Sequence, residues 1–465
     1  MVKEISSFTG KFLYGLLFVV LFPIFLIFWA KNLEKLIIWQ TPKLELIGAV
    51  SISLGIALMI KGMFDLIVLG KGLPMNAFPP KNLVTGGIYA WFSHPIYLGT
   101  ALLSFGLSLE LHSSAGLYIV TPILILMMLS LVFGYERPAM KKIFGSSFNQ
   151  YRPIFSILAF FKKSKNYYII WNPFRSFAEW VANSRQDWIF FNGKFRIINH
   201  SIYAGLAGAV GVGIIAYVTG NSLAALLIAI CVISGAAIFA RFRWGSGVLL
   251  RPFGYWGGIL GGITGMIFVH FLFDISLYRI LIAGALCAPF TQVLGRLRCL
   301  VQGCCHGIAA SKDFGIRVWQ SQSRIVVLSG LKGEYIHPTQ LYSILFNLLL
   351  GFLLFAIWLS DDFNGSIVAG LYLILTGIER FTEDAYRGEK QTKMAGGLQE
   401  NQWIAITALI IGILTTMIKF PRMDVPFGIL NLQFLLATLA GGLISAFVMS
   451  MDFPKSNARF SRLSG

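Results

Sequence analysis

The sequence predicts an all-α, polytopic transmembrane protein with about twelve spans in two modules. Three observations carry that expectation. Of 465 residues, 56% are hydrophobic and only 12% charged, where soluble proteins carry about 25% charged residues. Mean hydropathy is +0.72. The apolar residues also fall in runs near the roughly 20 residues that a span requires. Short basic loops separate these runs, so the net charge of +18 reads as positive-inside bias and contact with anionic lipid. No nucleic-acid partner is expected.

In the first module, residues 1–150, apolar runs lie near 12–30, 45–69, 95–111 and 115–134. The first follows Lys3 and Lys11, is long for a signal-peptide core and lacks a small-residue cleavage site, so it is expected as a retained span. Lys61 and Asp65 stand four apart, on one helical face. They are expected either to line a polar surface or to neutralise each other against a neighbouring helix.

Between the second and third runs lies Gly87-Ile88-Tyr89, then Ser93-His94-Pro95-Ile96-Tyr97-Leu98-Gly99. After the fourth run come Glu136-Arg137, Phe144-Gly145, Phe148 and Tyr151. Taken alone, Ser93-His94-Pro95 is a helix start, with Pro95 in the first turn and Ser93 as the cap. The ordered set resembles the isoprenylcysteine carboxyl methyltransferases and their phospholipid N-methyltransferase relatives over about 70 residues. Ser93, Arg137 and Phe148 depart from that pattern, which has Arg, Glu and Tyr there. The resemblance implies S-adenosylmethionine as cofactor, surrounded by His94, Tyr97, Gly99, Glu136 and Arg137. The chemistry agrees. A Glu pairs with the cofactor's ammonium and an Arg with its carboxylate, while His and Tyr hydrogen-bond ribose or base.

Residues 151–199 form a basic, aromatic stretch too short in apolar runs to span. Arg152, Lys162, Lys163, Lys165, Arg175, Arg185, Lys194 and Arg196 interleave with Phe160, Phe161, Tyr167, Tyr168, Trp171, Trp180, Trp188 and Phe190. That mixture is expected of a linker lying at the membrane surface.

The second module, residues 200–465, holds apolar runs near 200–218, 222–240, 254–273, 279–294, 339–358, 365–380, 403–418 and 427–450. Trp256-Gly257-Gly258-Ile259-Leu260 opens the third, and its glycines suit close helix packing. Gly295-Arg296, running on to Gly303, comes after the fourth. His337-Pro338-Thr339-Gln340-Leu341-Tyr342-Ser343 opens the fifth, and Arg380-Phe381-Thr382-Glu383-Asp384-Ala385-Tyr386-Arg387 closes the sixth. These four pieces, in order, resemble prolipoprotein diacylglyceryl transferase over roughly 200 residues. The sequence departs from that family at Trp256, where the family has His, at Ser343, where it has Glu, and at Asp384, which aligns with the Glu of the final motif and has Glu383 beside it.

The resemblance implies transfer of diacylglyceryl from phosphatidylglycerol to the cysteine thiol of a lipobox-containing prolipoprotein, in the plasma (inner) membrane. A phosphate-ester leaving group needs its charge stabilised, and arginines grip phosphate in bidentate fashion. Arg296, Arg380 and Arg387 are therefore the candidates to hold it. Asp384, four after Arg380 and three before Arg387, is expected to brace both on one helical face. His337 or His306 is the candidate base, with Gln340, Tyr342, Glu383, Gly257 and Gly258 around the lipid. Two rivals stand beside this reading. In one only the methyltransferase is active, because of Trp256. In the other the chain binds or transports lipid without turnover.

The five cysteines are Cys231, Cys287, Cys299, Cys304 and Cys305. Zinc sites usually show separated ligand pairs. Here Cys304 and Cys305 are adjacent and expected to point apart, so no metal is expected, and a packed loop or redox-sensitive thiol pair is the reading. Lysine and arginine counts put the 295–338 loop in the cytoplasm, whereas the resemblance puts it on the outer face.

Overall fold

The structure, a computed structural model, describes residues 2–37, 39–73, 80–155, 165–244, 254–360, 364–388, 394–421 and 431–452. Phe160, Phe161, Lys162 and Lys163 of the basic stretch, and 427–430 at the start of the last expected span, lie outside them. Among the described residues nine helices are long and apolar enough to cross a membrane, and the chain is a multi-pass membrane protein. The runs expected near 95–111, 365–380 and 403–418 are also helical. The first of these, Pro95–Glu110, is short at 16 residues. The second carries Glu379, Arg380, Glu383 and Asp384 in its last turns.

The chain divides into two units. The first comprises Met1–Tyr168 with Arg380–Ala385 and Gly396–Ile406. Its helices are α1 (Thr9–Glu34), α2 (Glu45–Val68), α3 (Pro95–Glu110) and α4 (Gly116–Gln150). Side chains such as Val19, Leu46 and Ile60 are exposed, as lipid-facing residues are. Glu34, at the end of α1, accepts from the Ser114 and Ala115 amides at 3.0 and 3.1 Å and from the Ser113 hydroxyl at 2.9 Å. A carboxylate thus caps the start of α4, where the helix dipole favours negative charge.

Glycines set the approach of α2 to α3. A Cβ on Gly55 would lie 2.7 Å from the Gly99 carbonyl, and one on Gly106 would lie 2.7 Å from that of Gly48. Small residues one heptad apart let the two backbones touch.

The second unit comprises Ile169–Glu379, Tyr386–Ala395 and Thr407–Gly465. It opens with α5 (Lys165–Ala182) and a hairpin, β1 (Asp187–Phe190) and β2 (Phe195–Ile198), paired antiparallel from Asp187↔Ile198 to Phe190↔Phe195. A short strand, β3 (Met451–Asp452), joins the far edge of β2. Beyond the hairpin come α6 (His200–Thr219), α7 (Ser222–Trp244), α8 (Tyr255–Phe273), α9 (Leu277–Gln302) and α10 (Thr339–Leu359). Next are α11 (Gly365–Ala385), which belongs to this unit up to Glu379, α12 (Glu400–Thr416), which belongs to it from Thr407, and α13 (Leu432–Ser450).

The stretch expected as a surface linker does more than lie flat. Ala178, Val181 and Ala182 are buried with Leu300, Val301, Ile316, Val318, Ile325, Ile336 and Leu341. The Asn183 side chain accepts from the Trp319 amide at 2.6 Å, and Gln186 donates to the Val301 carbonyl at 2.8 Å. The second half of α5 therefore forms one wall of a small core, and the long loop between α9 and α10 forms the other.

Overpacking a tight helix contact costs about 1–3 kcal/mol. Gly55→Leu should lower the thermal midpoint of detergent-solubilised protein, and Gly295→Ala, with nothing within 4 Å of its Cβ position, should not. Equal midpoints for the two variants would refute the packing role.

Candidate active sites

In the first unit the turn before α3 is built around Asp65. Its carboxylate takes the Lys61 ammonium at 2.6 Å and the Ile88 amide at 2.7 Å, and it is buried while Lys61 is half-exposed. The pair expected on one helical face is therefore also an anchor for the Gly86-Gly87-Ile88 turn. Gly87 has φ +61°, and any Cβ there would collide with the Asp65 carboxylate, so only glycine fits. The other end of the motif closes on this turn. The Tyr151 hydroxyl donates to the Tyr89 carbonyl at 2.5 Å, and burial raises the Tyr151 phenol to about 12.

Helix α3 starts at Pro95 as expected, but His94, not Ser93, occupies the cap position, and its side chain makes no cap bond. The His94 ring turns instead toward Glu136, with Nδ1 3.6 Å from Oε2. The Tyr97 hydroxyl donates to the other Glu136 oxygen, and the His94 and Tyr97 rings stack at 5.8 Å. Glu136 ends a π-helical turn, Val132–Glu136. Such turns shift the register of the helix beyond them and recur at functional sites. The Arg137 guanidinium lies over the Phe133 and Phe148 rings at 5.9 and 5.6 Å, so the phenylalanine that departs from the methyltransferase pattern has a contact of its own. Gly99 packs against the backbone of α2.

A carboxylate, a guanidinium and two stacked rings thus gather where the start of α3 meets the later turns of α4. That donor set suits a ligand carrying an ammonium, a carboxylate and a planar base.

In the second unit Arg296, near the end of α9, donates through Nε to the Ser343 hydroxyl at 3.1 Å. Ser343 sits on α10 between Gln340 and Asn347, and all three are buried. They form a polar stripe on an otherwise apolar span. The loop between the helices is tied at both ends. Gln340 Nε2 donates to the Cys304 carbonyl at 2.7 Å and Thr339 Oγ1 to that of Cys305 at 2.6 Å. The Gly307 amide donates to the His337 carbonyl at 3.1 Å, and His337 donates back through its amide to Ile308 at 2.9 Å. His337 Nδ1 meets the Tyr342 hydroxyl at 3.0 Å, and its ring packs edge-on to Tyr386 at 5.2 Å. Tyr342 also packs against Trp171, from α5, at 5.8 Å.

Arg387 is not on the helical face expected of it. Helix α11 ends at Ala385, and the chain then runs extended beside the loop. The Ile308 amide donates to the Tyr386 carbonyl at 2.9 Å, and the Gly388 amide to that of His306 at 2.8 Å. This strand-like pairing competes with another helical turn and prevails. The Arg380–Ala385 segment groups with the first unit, where Arg380 pairs with Glu383 at 2.8 Å and with Asp384 at 3.6 Å. Asn401 Nδ2 donates to Asp384 Oδ1 at 3.3 Å, and Thr382 shares a hydrogen bond with Ser130 at 2.9 Å. Asp384 therefore braces Arg380, as the i,i+4 spacing implies.

Both ring nitrogens of His306 are engaged, with Ser329 Oγ at 2.9 Å and the Gly307 carbonyl at 3.0 Å. That suits a residue that shapes the loop more than a base. A Cβ on Gly257 would strike the Gly235 carbonyl and Phe239, so the glycine serves the α7–α8 contact, while Gly258 meets Ala236 and Val232 only at van der Waals distance.

The cysteines do not point apart. Cys305 has φ +57°, which turns its side chain back, and the thiols of Cys299, Cys304 and Cys305 converge within 4.8 Å of one another. Hydrogen bonds from Cys299 and Cys304, with the charges of Arg387 and Arg296, hold the Cys305 thiol well below its usual range against the opposing effect of burial. Arg296, on the helix that leads into this loop, and Arg387, whose backbone pairs with Gly307, both border it.

Three residues escaped the sequence reading. Asn347 lies seven after Gln340, which places it on the same helical face. Arg298 donates to buried His200 at 3.3 Å, a pairing between distant segments that no spacing reveals. The third, Trp171, appeared only as one aromatic among many.

Burial and the Arg137 charge push His94 down to about 4 from its usual 6.5 or so. Facing it are the Glu136 carboxylate and the Tyr97 ring. The unfolded chain takes up this proton near pH 6.5 and the folded chain only near 4. The stability that a neutral His94 contributes is therefore complete above about pH 6.5 and lost as pH falls toward 4. Thermal midpoints should drop more from pH 7 to 4.5 in wild type than in His94→Gln. Parallel curves would contradict the assignment.

Residues 190–418 match the family model of prolipoprotein diacylglyceryl transferase, and residues 44–147 match that of phospholipid methyltransferase. A phosphatidylglycerol–prolipoprotein diacylglyceryl transferase of Clostridium tetani is 32% identical over 123 residues, which is 26% of this chain and 46% of its own length. A second such transferase, from Clostridium perfringens, is 29% identical over 175 residues, covering 36% and 64%. One from Campylobacter curvus is 28% identical over 151 residues, covering 32% and 51%. The chain spans about half to two thirds of the length of these curated relatives. Two stretches of the chain thus resemble two transferase families, 44–147 the phospholipid methyltransferases and 190–418 the prolipoprotein diacylglyceryl transferases.

Proposed function

We propose that this protein is a two-module lipid-modifying transferase of the plasma (inner) membrane. Residues 200–465 transfer diacylglyceryl from phosphatidylglycerol to the cysteine thiol of a prolipoprotein, and residues 1–150 transfer methyl from S-adenosylmethionine, with 151–199 between them. The observation that carries the first activity is the Arg296–Ser343 contact at 3.1 Å, beside a loop whose Gly307 pairs with the backbone of Arg387. Two guanidinium groups where an apolar bundle meets its loop suit a phosphate.

In the transfer step the substrate thiolate attacks the glycerol carbon. An S–C bond forms, the C–O bond to phosphate breaks, and glycerol phosphate leaves with the electron pair. Arg296 and Arg387 stabilise its developing charge. His337, held by Tyr342, takes the thiol proton, and His306 and Gln340 fix the loop. In the other module, S-adenosylmethionine supplies a methyl group on a sulfonium when bound. Glu136 would hold its ammonium and Arg137 its carboxylate, with His94 and Tyr97 against the base or ribose, and the alignment of acceptor and cofactor does the rest.

A second reading has its own support. Trp256 and Ser343 stand where the transferase family carries His and Glu, which favours a lipid-binding second module beside an active methyltransferase.

Purified protein, labelled phosphatidylglycerol and a lipobox peptide separate the two readings. Labelled peptide is expected, and Arg296→Ala should reduce its rate by about 10²–10³-fold. Transfer that persists unchanged in Arg296→Ala would remove this site, and no transfer by wild type would leave the second reading. With methyl-labelled cofactor, Glu136→Gln should weaken cofactor binding at least about tenfold, the loss of one charge-assisted contact. Unaltered binding would refute the role of Glu136.

A further inference from the structure

Among the described residues, one group of metal-ligating side chains takes no part in the proposed lipid chemistry. Cys299 lies on the last turn of α9, while Cys304 and Cys305 come just after that helix's left-handed C-cap, Gly303, at φ +79°. Their three sulfurs lie within 4.8 Å of one another. In a tetrahedral zinc site with Zn–S near 2.3 Å, the sulfurs stand about 3.8 Å apart. The present arrangement needs a contraction of about 1 Å or less to meet that, within the reach of small side-chain rotations. A disulfide would use two sulfurs and leave the third idle, whereas here all three converge.

We propose that Cys299, Cys304 and Cys305 bind one Zn2+ ion as a three-thiolate site, with a non-sulfur fourth ligand. Three S–Zn bonds form as the thiol protons leave, so the ion and its thiolates together carry a single negative charge. Arg296, three residues before Cys299 on α9, and Arg387, whose backbone pairs with Gly307, bring positive charge beside the site to offset it. Gln302 Oε1, 3.6 Å from the Cys304 sulfur, stands in position to be the fourth ligand, or to orient a water there.

The site acts as a staple. It joins the end of α9 to the two residues whose carbonyls are held by Gln340 and Thr339 at the start of α10. Zinc would therefore fix the loop that carries His306 and orients His337. The role is structural, and it holds whichever reaction the module performs.

The test loads the reduced full-length protein in detergent with Zn2+, removes excess ion, and measures bound metal by mass spectrometry. About one equivalent per chain is expected. Cys299→Ser, Cys304→Ser and Cys305→Ser should each lower it, and the Cys231→Ser/Cys287→Ser double variant should keep it. Because a site variant could fail to fold, wild type is also titrated with Co2+, which should give thiolate-to-metal charge-transfer absorption. No bound zinc in wild type, no charge-transfer band, or metal content unchanged in the triple Cys→Ser variant would overturn the proposal.

Discussion

A guanidinium near the end of an apolar span is costly unless its charge and its donors are met. Buried Ser343 accepts from Arg296 Nε and meets one of its donors, and the surrounding arrangement depends on the contact. With α9 and α10 tied at 3.1 Å, the loop between them must leave and return close by. It does so with Gln340 and Thr339 reaching back to Cys304 and Cys305, and with His337 accepting from the Gly307 amide and donating to the Ile308 carbonyl. The loop then offers its other edge to Tyr386–Gly388, which brings Arg387 alongside. One polar contact in the bundle thus leads to a second cation and a histidine at its mouth.

The first unit solves a similar problem with an acid. Asp65 is buried within a span, and Lys61 alone would leave half of its carboxylate unmet. The Ile88 amide takes the other oxygen, and that bond holds the glycine turn leading to His94 and Tyr97. The charge that costs energy inside the bilayer positions the residues that face Glu136 and Arg137.

The spans were legible because hydropathy is a local property, and every expected run is helical among the described residues. The site pieces were legible because arginine, histidine and acid are rare beside apolar runs. The features that escaped are non-local or conformational. Arg387 leaves the helical face because a distant loop competes for its backbone, and helical spacing cannot register that competition. Cys305 turns back toward its neighbours because it adopts a left-handed conformation that a non-glycine residue seldom shows. Residues 151–199 read as surface linker by composition, yet alanines and a valine on one face of α5 close a core with the 303–338 loop. Asn347 was within reach. A polar residue seven after Gln340 in an apolar span marks a buried stripe.

The central claim is that arginines at the mouth of this bundle hold an anionic phospholipid by its phosphate. Native mass spectrometry of protein released from mixed micelles of phosphatidylglycerol and phosphatidylcholine tests it without requiring turnover. Wild type should retain phosphatidylglycerol preferentially, and the Arg296→Ala/Arg387→Ala double variant should lose that preference while still carrying phosphatidylcholine. Equal retention of phosphatidylglycerol by wild type and the double variant would contradict the account.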